Sequence, residues 1–174
     1  KIKHKKASED AKKSKLFSGL VKSITFESKK AGGDTNNPSL KAIIDKAKSV
    51  NMPSANIEKA IKKGIGGEAD NLEEVSYEAY GPEGCALLIL GITDNKNRTT
   101  SEVKHLLSNF GGKLGEPGSV MWAFDKKPNN EWAVNNYLDL SESGFNQLDN
   151  LINQLENHDD IDKIVVNVKI MNNE

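Results

Sequence analysis

The sequence contains one cysteine, Cys85, one arginine, Arg98, and no long apolar run. A single cysteine cannot form an internal disulfide, which excludes a disulfide-stapled secreted scaffold and is typical of a reducing compartment. No stretch approaches the roughly 20 apolar residues that a membrane-spanning helix needs. The Lys-rich start is not followed by the apolar segment of a signal peptide. We therefore expect a cytoplasmic protein without a membrane partner.

Patterns that carry chemistry are also scarce. The three histidines and Cys85 show no metal-ligand spacing, and Cys85 is expected to be a packed strand residue. The glycines at 64–67 lack the Gly-Lys-Ser/Thr ending of a phosphate-binding loop, and the carboxylates form no pair at a catalytic spacing. The sequence therefore predicts no catalytic residue, no metal site, no cofactor and no small-molecule substrate, so we expect a protein that is not an enzyme.

Charge is abundant, and it is segregated along the chain. The net charge is −1 over 174 residues, yet residues 1–66 hold 16 lysines and only six acidic residues. The remainder holds eight basic and 19 acidic residues. This asymmetry predicts a basic module for a polyanion, joined to an acidic module with another role. Codon bias would explain lysine in place of arginine, but it would not explain why the lysines fall in one half.

Helical periodicity dominates the basic half. A first helix is predicted from Ser8 to Lys30, with an apolar stripe at Phe17, Leu20, Val21 and Ile24. A second begins near Pro38 and ends before residues 51–53, and a third ends at the glycines of residues 64–67. Three short amphipathic helices can bury their stripes only against each other, so residues 1–68 are predicted to be a three-helix bundle.

Strands alternate with helices in the acidic half. Strands are predicted at Val75–Tyr80, Cys85–Thr93, Ser119–Phe124, Glu131–Leu140 and Ile161–Ile170. Helices are predicted after a capping box formed by Thr99 and Glu102, and over Ser141–Asn157. Without its first strand this order is βαβ-βαβ. We therefore predict an α+β protein whose residues 69–174 form a ferredoxin-like domain.

Most lysines of the first predicted helix fall on one side of it. If the helix starts early enough to include Lys5, six lysines lie within roughly 20–140° on a helical wheel, opposite the apolar stripe, and no carboxylate of this helix falls within that arc. We call this set the lysine ridge: Lys5, Lys12, Lys15, Lys22, Lys29 and Lys30. A solvated helix face would show lysines too, but the exclusion of carboxylates favours phosphate binding, which requires positive charge rather than special geometry.

Other residues extend the candidate set for nucleic-acid binding. Arg98 lies in a predicted loop before a helix, where a phosphate contact and a salt bridge with Asp94 are equally good interpretations. Four glycines lie between residues 111 and 118. They could allow a close approach to RNA, but turns with positive φ explain them better. The full candidate set is His4, Lys5, Lys6, Lys12, Lys13, Lys15, Lys22, Lys29, Lys59, Lys62, Lys63, Asn95, Asn97 and Arg98. Lysine reads bases poorly, so contact with the backbone and weak sequence preference are expected.

Several segments, in order along the chain, together resemble the YebC family. They are Ile2-Lys3-His4-Lys5-Lys6-Ala7, Asp10-Ala11-Lys12, Gly32-Gly33-Asp34, Asn51-Met52-Pro53, Ala60-Ile61-Lys62-Lys63-Gly64, Tyr77-Glu78-Ala79-Tyr80-Gly81-Pro82, Thr93-Asp94-Asn95-Lys96-Asn97-Arg98-Thr99 and Gly111-Gly112-Lys113-Leu114-Gly115. Any one motif is weak, but the ordered set is specific. By comparison with the family's pattern, we expect two features not to be part of this sequence: a short basic leader before Ile2, and a third α/β domain, which would be inserted near residues 127–131.

The resemblance implies a function linked to nucleic acid. The family comprises probable transcriptional regulators of bacteria and a mitochondrial translational activator, so the mitochondrial matrix is the alternative location. The scarcity of arginine favours a translation factor that binds rRNA or tRNA on the ribosome, and a DNA-binding transcription regulator is the alternative. A protein-interaction scaffold is a third possibility. We expect a monomer.

Overall fold

A computed structural model of the protein describes residues 2–169, with side chains described from Asp10 onward. Within these residues the helices and strands are α1 (Ile2–Ala31), α2 (Pro38–Ser49), α3 (Ser54–Ile65), β1 (Glu73–Tyr80), β2 (Ala86–Thr93), α4 (Lys96–Asn109), β3 (Lys113–Leu114), β4 (Phe124–Lys126), β5 (Trp132–Val134), α5 (Glu142–Glu156) and β6 (Ile161–Val166). The predicted α+β class is confirmed. No helix in this part of the chain is long and apolar enough to span a membrane.

The chain divides into two compact units. The first takes in the chain up to Glu73 together with Ile92–Asn95, and the second takes in Glu74–Gly91 and the chain from Lys96 onward. The predicted boundary after residue 68 therefore stays a prediction, because the first unit also includes a later segment of the chain.

Three helices form the first unit, and their apolar stripes build its core. Its buried residues come from all three helices and from the α2–α3 link: Leu20, Ile24, Leu40, Ile44, Ala47, Met52, Ile57 and Ala60. The α2 N-terminus is fixed by Asn37, whose side chain accepts hydrogen bonds from the backbone N–H groups of Ser39 and Leu40 at 3.1 and 3.3 Å. Such a cap satisfies donors that have no partner within the helix. The three predicted helices of residues 1–68 thus correspond to α1, α2 and α3.

The α1–α3 packing depends on Gly64. A Cβ at this position would lie 2.5 Å from the carbonyl oxygen of Thr25 and 2.9 Å from the backbone nitrogen of Lys29. Hydroxyl groups of α1 bridge the same crossing. Thr25 donates to the carbonyl oxygen of Ala60 at 3.3 Å, and Ser28 donates to that of Ile61 at 2.7 Å. These bonds link side chains of α1 to the backbone of α3.

A four-stranded sheet with the order β3-β1-β2-β6 forms the centre of the second unit. β3 pairs antiparallel with β1, and β6 pairs antiparallel with β2. Successive side chains of β2 point to opposite faces of the sheet, as in any strand, so alternate residues pack into two different cores. Leu87 and Ile89 lie in a core with α4 and α5, whereas Leu88 lies in a second core with Val120 and Phe124.

Two of the predicted strands are wrong in extent and in partner, so the sheet differs from the ferredoxin-like expectation. Residues 121–123 form a 3-10 turn and β4 begins only at Phe124, while the predicted strand over 131–140 is reduced to β5. β4 and β5 pair only with each other, as a separate two-stranded sheet. At the start of the first of these strands, the Glu78 carboxylate accepts from the backbone N–H groups of Gly118 at 2.5 Å and Val120 at 3.1 Å. A side chain thus holds donors that a straight strand would pair with a neighbouring strand.

Candidate nucleic-acid interface

The first half of α1 carries exposed lysines of the candidate set. Residues 10–14 are all exposed, and they include Lys12 and Lys13. The ammonium group of Lys13 lies 5.5 Å from the centroid of the Phe17 ring, a cation–π contact that leaves the lysine exposed. Lys15 is half-buried. His4, Lys5 and Lys6 belong to the α1 sequence, but their side chains lie outside the described residues.

The second half of the ridge is engaged by the protein itself. Lys29 donates to the carbonyl oxygens of Ala69 and Asp70 at 3.1 and 3.2 Å, and its ammonium lies 3.9 Å from the Asp70 carboxylate. Lys22 donates to the carbonyl oxygen of Ile92 at 3.4 Å. Lys30 lies 3.8 Å from Glu27 and 5.3 Å from the Phe26 ring. The lysines of the ridge share one side of the predicted helix, but in the structure they have different surroundings.

Lysines of α3 add to the positive surface of the first unit. Lys59 and Lys62 are exposed, and Lys63 is half-buried. The core face of α3 holds Ile57 and Ala60, so its lysines project from the opposite side. α3 thus presents lysines on the side opposite its apolar stripe, as the first helix was predicted to do.

Arg98 has a different environment from the one expected. It lies in the first turn of α4 rather than in a loop before the helix, because α4 begins at Lys96. Its guanidinium group lies 2.9 Å from a carboxylate oxygen of Asp160 and 4.0 Å from one of Glu102. A salt bridge between Arg98 and Asp94 stays a prediction. Asp160 is 62 residues away, so no local pattern indicated it.

The other candidates near Arg98 are exposed. Asn97 belongs to the first turn of α4. Asn95 precedes it, and its backbone N–H donates to the hydroxyl of Thr93 at 3.0 Å. Thr99 is not the predicted helix cap: it lies inside α4, is fully buried, and donates to Asp160 at 2.8 Å. The capping-box interpretation of Thr99 is therefore wrong.

A cluster of titratable side chains surrounds Arg98, and sequence reasoning missed it. Candidate ligand atoms of Glu102, His158 and Asp160 all lie within 4.8 Å of one another. The Asp160 backbone N–H donates to His158 Nδ1 at 3.1 Å, which assigns the proton of a neutral imidazole to Nε2. Nε2 contacts Glu102 and so donates to it.

These hydrogen bonds indicate a structural network rather than a metal centre. A histidine ligand offers one ring nitrogen to the ion and donates the N–H of the other. In His158 one nitrogen accepts a backbone hydrogen bond and the other donates to Glu102. Asp160 already accepts from Arg98 and Thr99. The cleft beside them also contains Asp159, so it holds three carboxylates to one guanidinium and does not favour phosphate.

Cys85 shows no sign of reactivity. It is fully buried in the core with α4 and α5. Burial raises the pKa of its thiol from 9.0 to about 11. Because a thiolate is the reactive form of cysteine, this environment suits a packing residue.

The comparisons with known proteins agree with the resemblance. The model of the TACO1/YebC protein N-terminal domain matches residues 1–67, and that of the TACO1/YebC second and third domain matches residues 72–130. The chain belongs to the TACO1/YebC family. A probable transcriptional regulatory protein of Fervidobacterium nodosum is 47% identical over 143 residues, which cover 81% of this chain and 57% of that protein. A protein of the same name from Thermosipho africanus is 52% identical over 128 residues, or 72% and 51% of the two chains.

A solved structure supports the same membership. The crystal structure of a conserved hypothetical protein from Aquifex aeolicus superposes with a TM-score of 0.84 at 31% identity, over 94% of this chain and 93% of that one. This TACO1/YebC chain spans about half the length of the first two relatives, at 57% and 51%. The match to the second-and-third-domain model ends at residue 130, in the turn between β4 and β5.

Proposed function

We propose that this chain is a non-enzymatic, nucleic-acid-binding regulator of gene expression that binds RNA phosphates on the ribosome as a translation factor. The observation that carries the proposal is the exposure of lysines on α1 and α3 in the half of the chain with 16 lysines and six acidic residues. Phosphate contacts need positive charge along a surface, and they do not need base-reading side chains. The relatives' name, probable transcriptional regulatory protein, supports a role in regulation.

A DNA-binding transcription regulator is the second candidate. The same name favours it, because transcription acts on DNA. Lysine-mediated phosphate contacts serve duplex DNA and rRNA equally well. The single arginine, Arg98, faces Asp160 and a cleft rich in carboxylates. Strong discrimination between base sequences is therefore not expected of this chain.

Co-sedimentation with purified 70S ribosomes over a salt series, with an equal mass of duplex DNA as competitor, tests the proposal. The test variant replaces three exposed lysines of the first unit with glutamine: K12Q, K59Q and K62Q. The matched control removes the same charge from three exposed lysines of the second unit: K104Q, K113Q and K163Q. Equal net charge separates a specific surface from a general charge effect.

The proposal predicts that the wild type and the control stay with ribosomes at near-physiological salt and that the test variant does not. Release of the wild type by duplex DNA would move the DNA-binding alternative ahead. If both variants sediment as the wild type does, the lysines of the first unit do not hold the ribosome, and the scaffold interpretation gains support.

A further inference from the structure

Helix α1 is far longer than the helices it packs against. It has 30 residues, or about 45 Å at 1.5 Å per residue, whereas α2 and α3 have 12 residues each, or about 18 Å. The first residue of α1 to join the core of the first unit is Phe17. Residues 10–14 are all exposed, and no residue from Asp10 to Leu16 belongs to that core, so this part of α1 forms an arm outside it together with the helical turns that precede it. The arm is defined here as residues 2–16.

The arm carries exposed positive charge, as α2 and α3 also do. Lys22 and Lys29 donate to backbone carbonyl oxygens within the first unit, so they contribute to the fold. Lys12 and Lys13 are exposed. The sequence of the arm supplies further lysines at positions 3, 5 and 6.

An exposed leucine lies between the two exposed lysines of the arm. Leu16 keeps 41% of its surface accessible and is one of four large hydrophobic residues exposed in the described chain. It follows Lys12 by four positions and Lys13 by three, so both lysines are its neighbours on the helix surface. At 100° per residue they flank it, roughly 40° to one side and roughly 60° to the other. An apolar side chain with a cation on each side is therefore presented to solvent.

We propose that the arm enters a groove of a double helix, with Lys12 and Lys13 on the phosphates of the two strands and Leu16 against the base edges between them. This inference rests on the proposed nucleic-acid binding and names the element and the form of nucleic acid. An α-helix is about 10–12 Å across and a B-form major groove is about 12 Å wide. Apolar side chains in that groove contact the thymine methyl group. Residues 10–16 contain no aromatic side chain for stacking on single-stranded bases.

Two kinds of nucleic acid offer such a groove. One is duplex DNA, and the other is an rRNA helix whose groove is widened by bulges or loops. The regular A-form major groove is too narrow to admit side chains. Both offer the same chemistry: a groove bordered by two phosphate backbones, with the edges of the bases exposed between them.

Fluorescence anisotropy of labelled oligonucleotides over a salt series tests the arm. The probes are an A·T-rich duplex DNA, a bulged RNA duplex and one single strand of the DNA. With either duplex, K12Q/K13Q should reduce the slope of log affinity against log salt by about 1.8, since each phosphate contact contributes about 0.9. Leu16→Ala should leave that slope unchanged and weaken binding by about fivefold to tenfold, because its contact is apolar.

Ile65→Ala is the matched control for Leu16→Ala. Ile65 is 60% exposed at the end of α3 and lies beside Gly33, just past the opposite end of α1. It should bind as the wild type does. Circular dichroism checks that all variants keep their helical content.

Three results would overturn the inference: a wild-type salt slope for K12Q/K13Q, equal binding by the Leu16 and Ile65 variants, or tighter binding of the single strand than of either duplex. In any of these cases weaker binding by K59Q/K62Q would leave the proposed function intact. The proposed function itself would be wrong if the wild-type chain bound none of the three probes and did not bind ribosomes. Of the two duplexes, the one that binds more tightly identifies the source of the groove.

Discussion

Substituting alanine for Gly64 probes the contact that sets the orientation of α1 on α3. The added Cβ would lie 2.5 Å from the carbonyl oxygen of Thr25, 2.7 Å from Cβ of Ser28 and 2.9 Å from the backbone nitrogen of Lys29. None of these atoms is the end of a flexible side chain. The two helices must therefore separate to admit the methyl group.

The size of the effect follows from two opposing contributions. Overpacking a close contact costs about 1–3 kcal/mol, and separating the helices also weakens the hydrogen bond from Ser28 to Ile61, at about 1 kcal/mol. The Thr25 hydroxyl keeps its shorter bond, 2.8 Å, to the carbonyl oxygen of Val21 within α1. Alanine within a helix is more favourable than glycine by about 1 kcal/mol. We expect Gly64→Ala to lower the free energy of unfolding by about 2 kcal/mol.

Urea unfolding followed by far-UV circular dichroism measures this change. Gly66→Ala is the control, because it adds the same methyl group two residues later, where the nearest atom is 3.4 Å away and φ is −80°. The control should unfold at or near the wild-type urea concentration. If Gly64→Ala proves as stable as Gly66→Ala, α1 and α3 do not approach as closely as described, and the reasoning fails.

Three further predictions concern single side chains. Asp160→Ala should lower the free energy of unfolding by about 1–3 kcal/mol in urea, because the buried Thr99 hydroxyl loses its acceptor; an unchanged midpoint would contradict this. Lys29→Met should destabilise the protein by about 1 kcal/mol, because two backbone carbonyls lose a donor, whereas Lys12→Met should have no effect; thermal melts compare the two. The raised pKa of Cys85, about 11 against 9.0, stabilises the fold below pH 9, and this contribution should be lost as the pH rises toward 11. A thiol reagent at pH 8 should therefore label Cys85 only as the protein unfolds, and rapid labelling of the native protein would disprove the burial argument.

Local patterns predicted the elements whose structure is decided locally. The apolar spacing of Leu20 and Ile24 and the position of Pro38 were sufficient for α1 and α2, because a helix buries one stripe and begins at a cap. The same holds for α5, where the hydroxyl of Ser141 accepts from the backbone N–H of Gly144 at 3.1 Å. α2 and α5 match the expected ranges within a few residues, whereas α1 begins at Ile2, six residues before the predicted start at Ser8.

Elements that depend on distant partners could not be predicted in this way. The run from Ser119 to Phe124 has the composition of a strand, but Glu78, some 40 residues earlier, accepts from the backbone N–H of Val120 in this run and from that of Gly118 just before it. Leu138 likewise donates its backbone N–H to the carbonyl oxygen of Asn167 at 2.8 Å, outside any strand. A single sequence contains no signal for such pairings. The strands predicted at Ser119–Phe124 and Glu131–Leu140 are therefore shorter in the structure than expected, and they form a separate sheet.

The candidate site shows the same division. The helical wheel located the ridge lysines on the side away from the core, but it could not show that Lys29, although exposed like Lys12, donates to carbonyl oxygens about 40 residues later. Arg98 was recognised as unusual, but its partner Asp160 and the neighbouring His158 come from a turn 60 residues away. Residue type and spacing indicated which side chains mattered, while their roles depended on the folded chain.

The turn between β4 and β5 is a natural point of expansion for the fold. Its residues 127–131 are exposed, Asn130 adopts a φ of 63°, and the backbone N–H of Lys127 donates to the carbonyl oxygen of Glu131 at 2.8 Å. Entry and exit are therefore one hydrogen bond apart, at the tip of a hairpin and away from the cores. An inserted segment whose two ends lie close together can therefore be accommodated here, whether it arose in evolution or was engineered. The strands and the cores would not have to change.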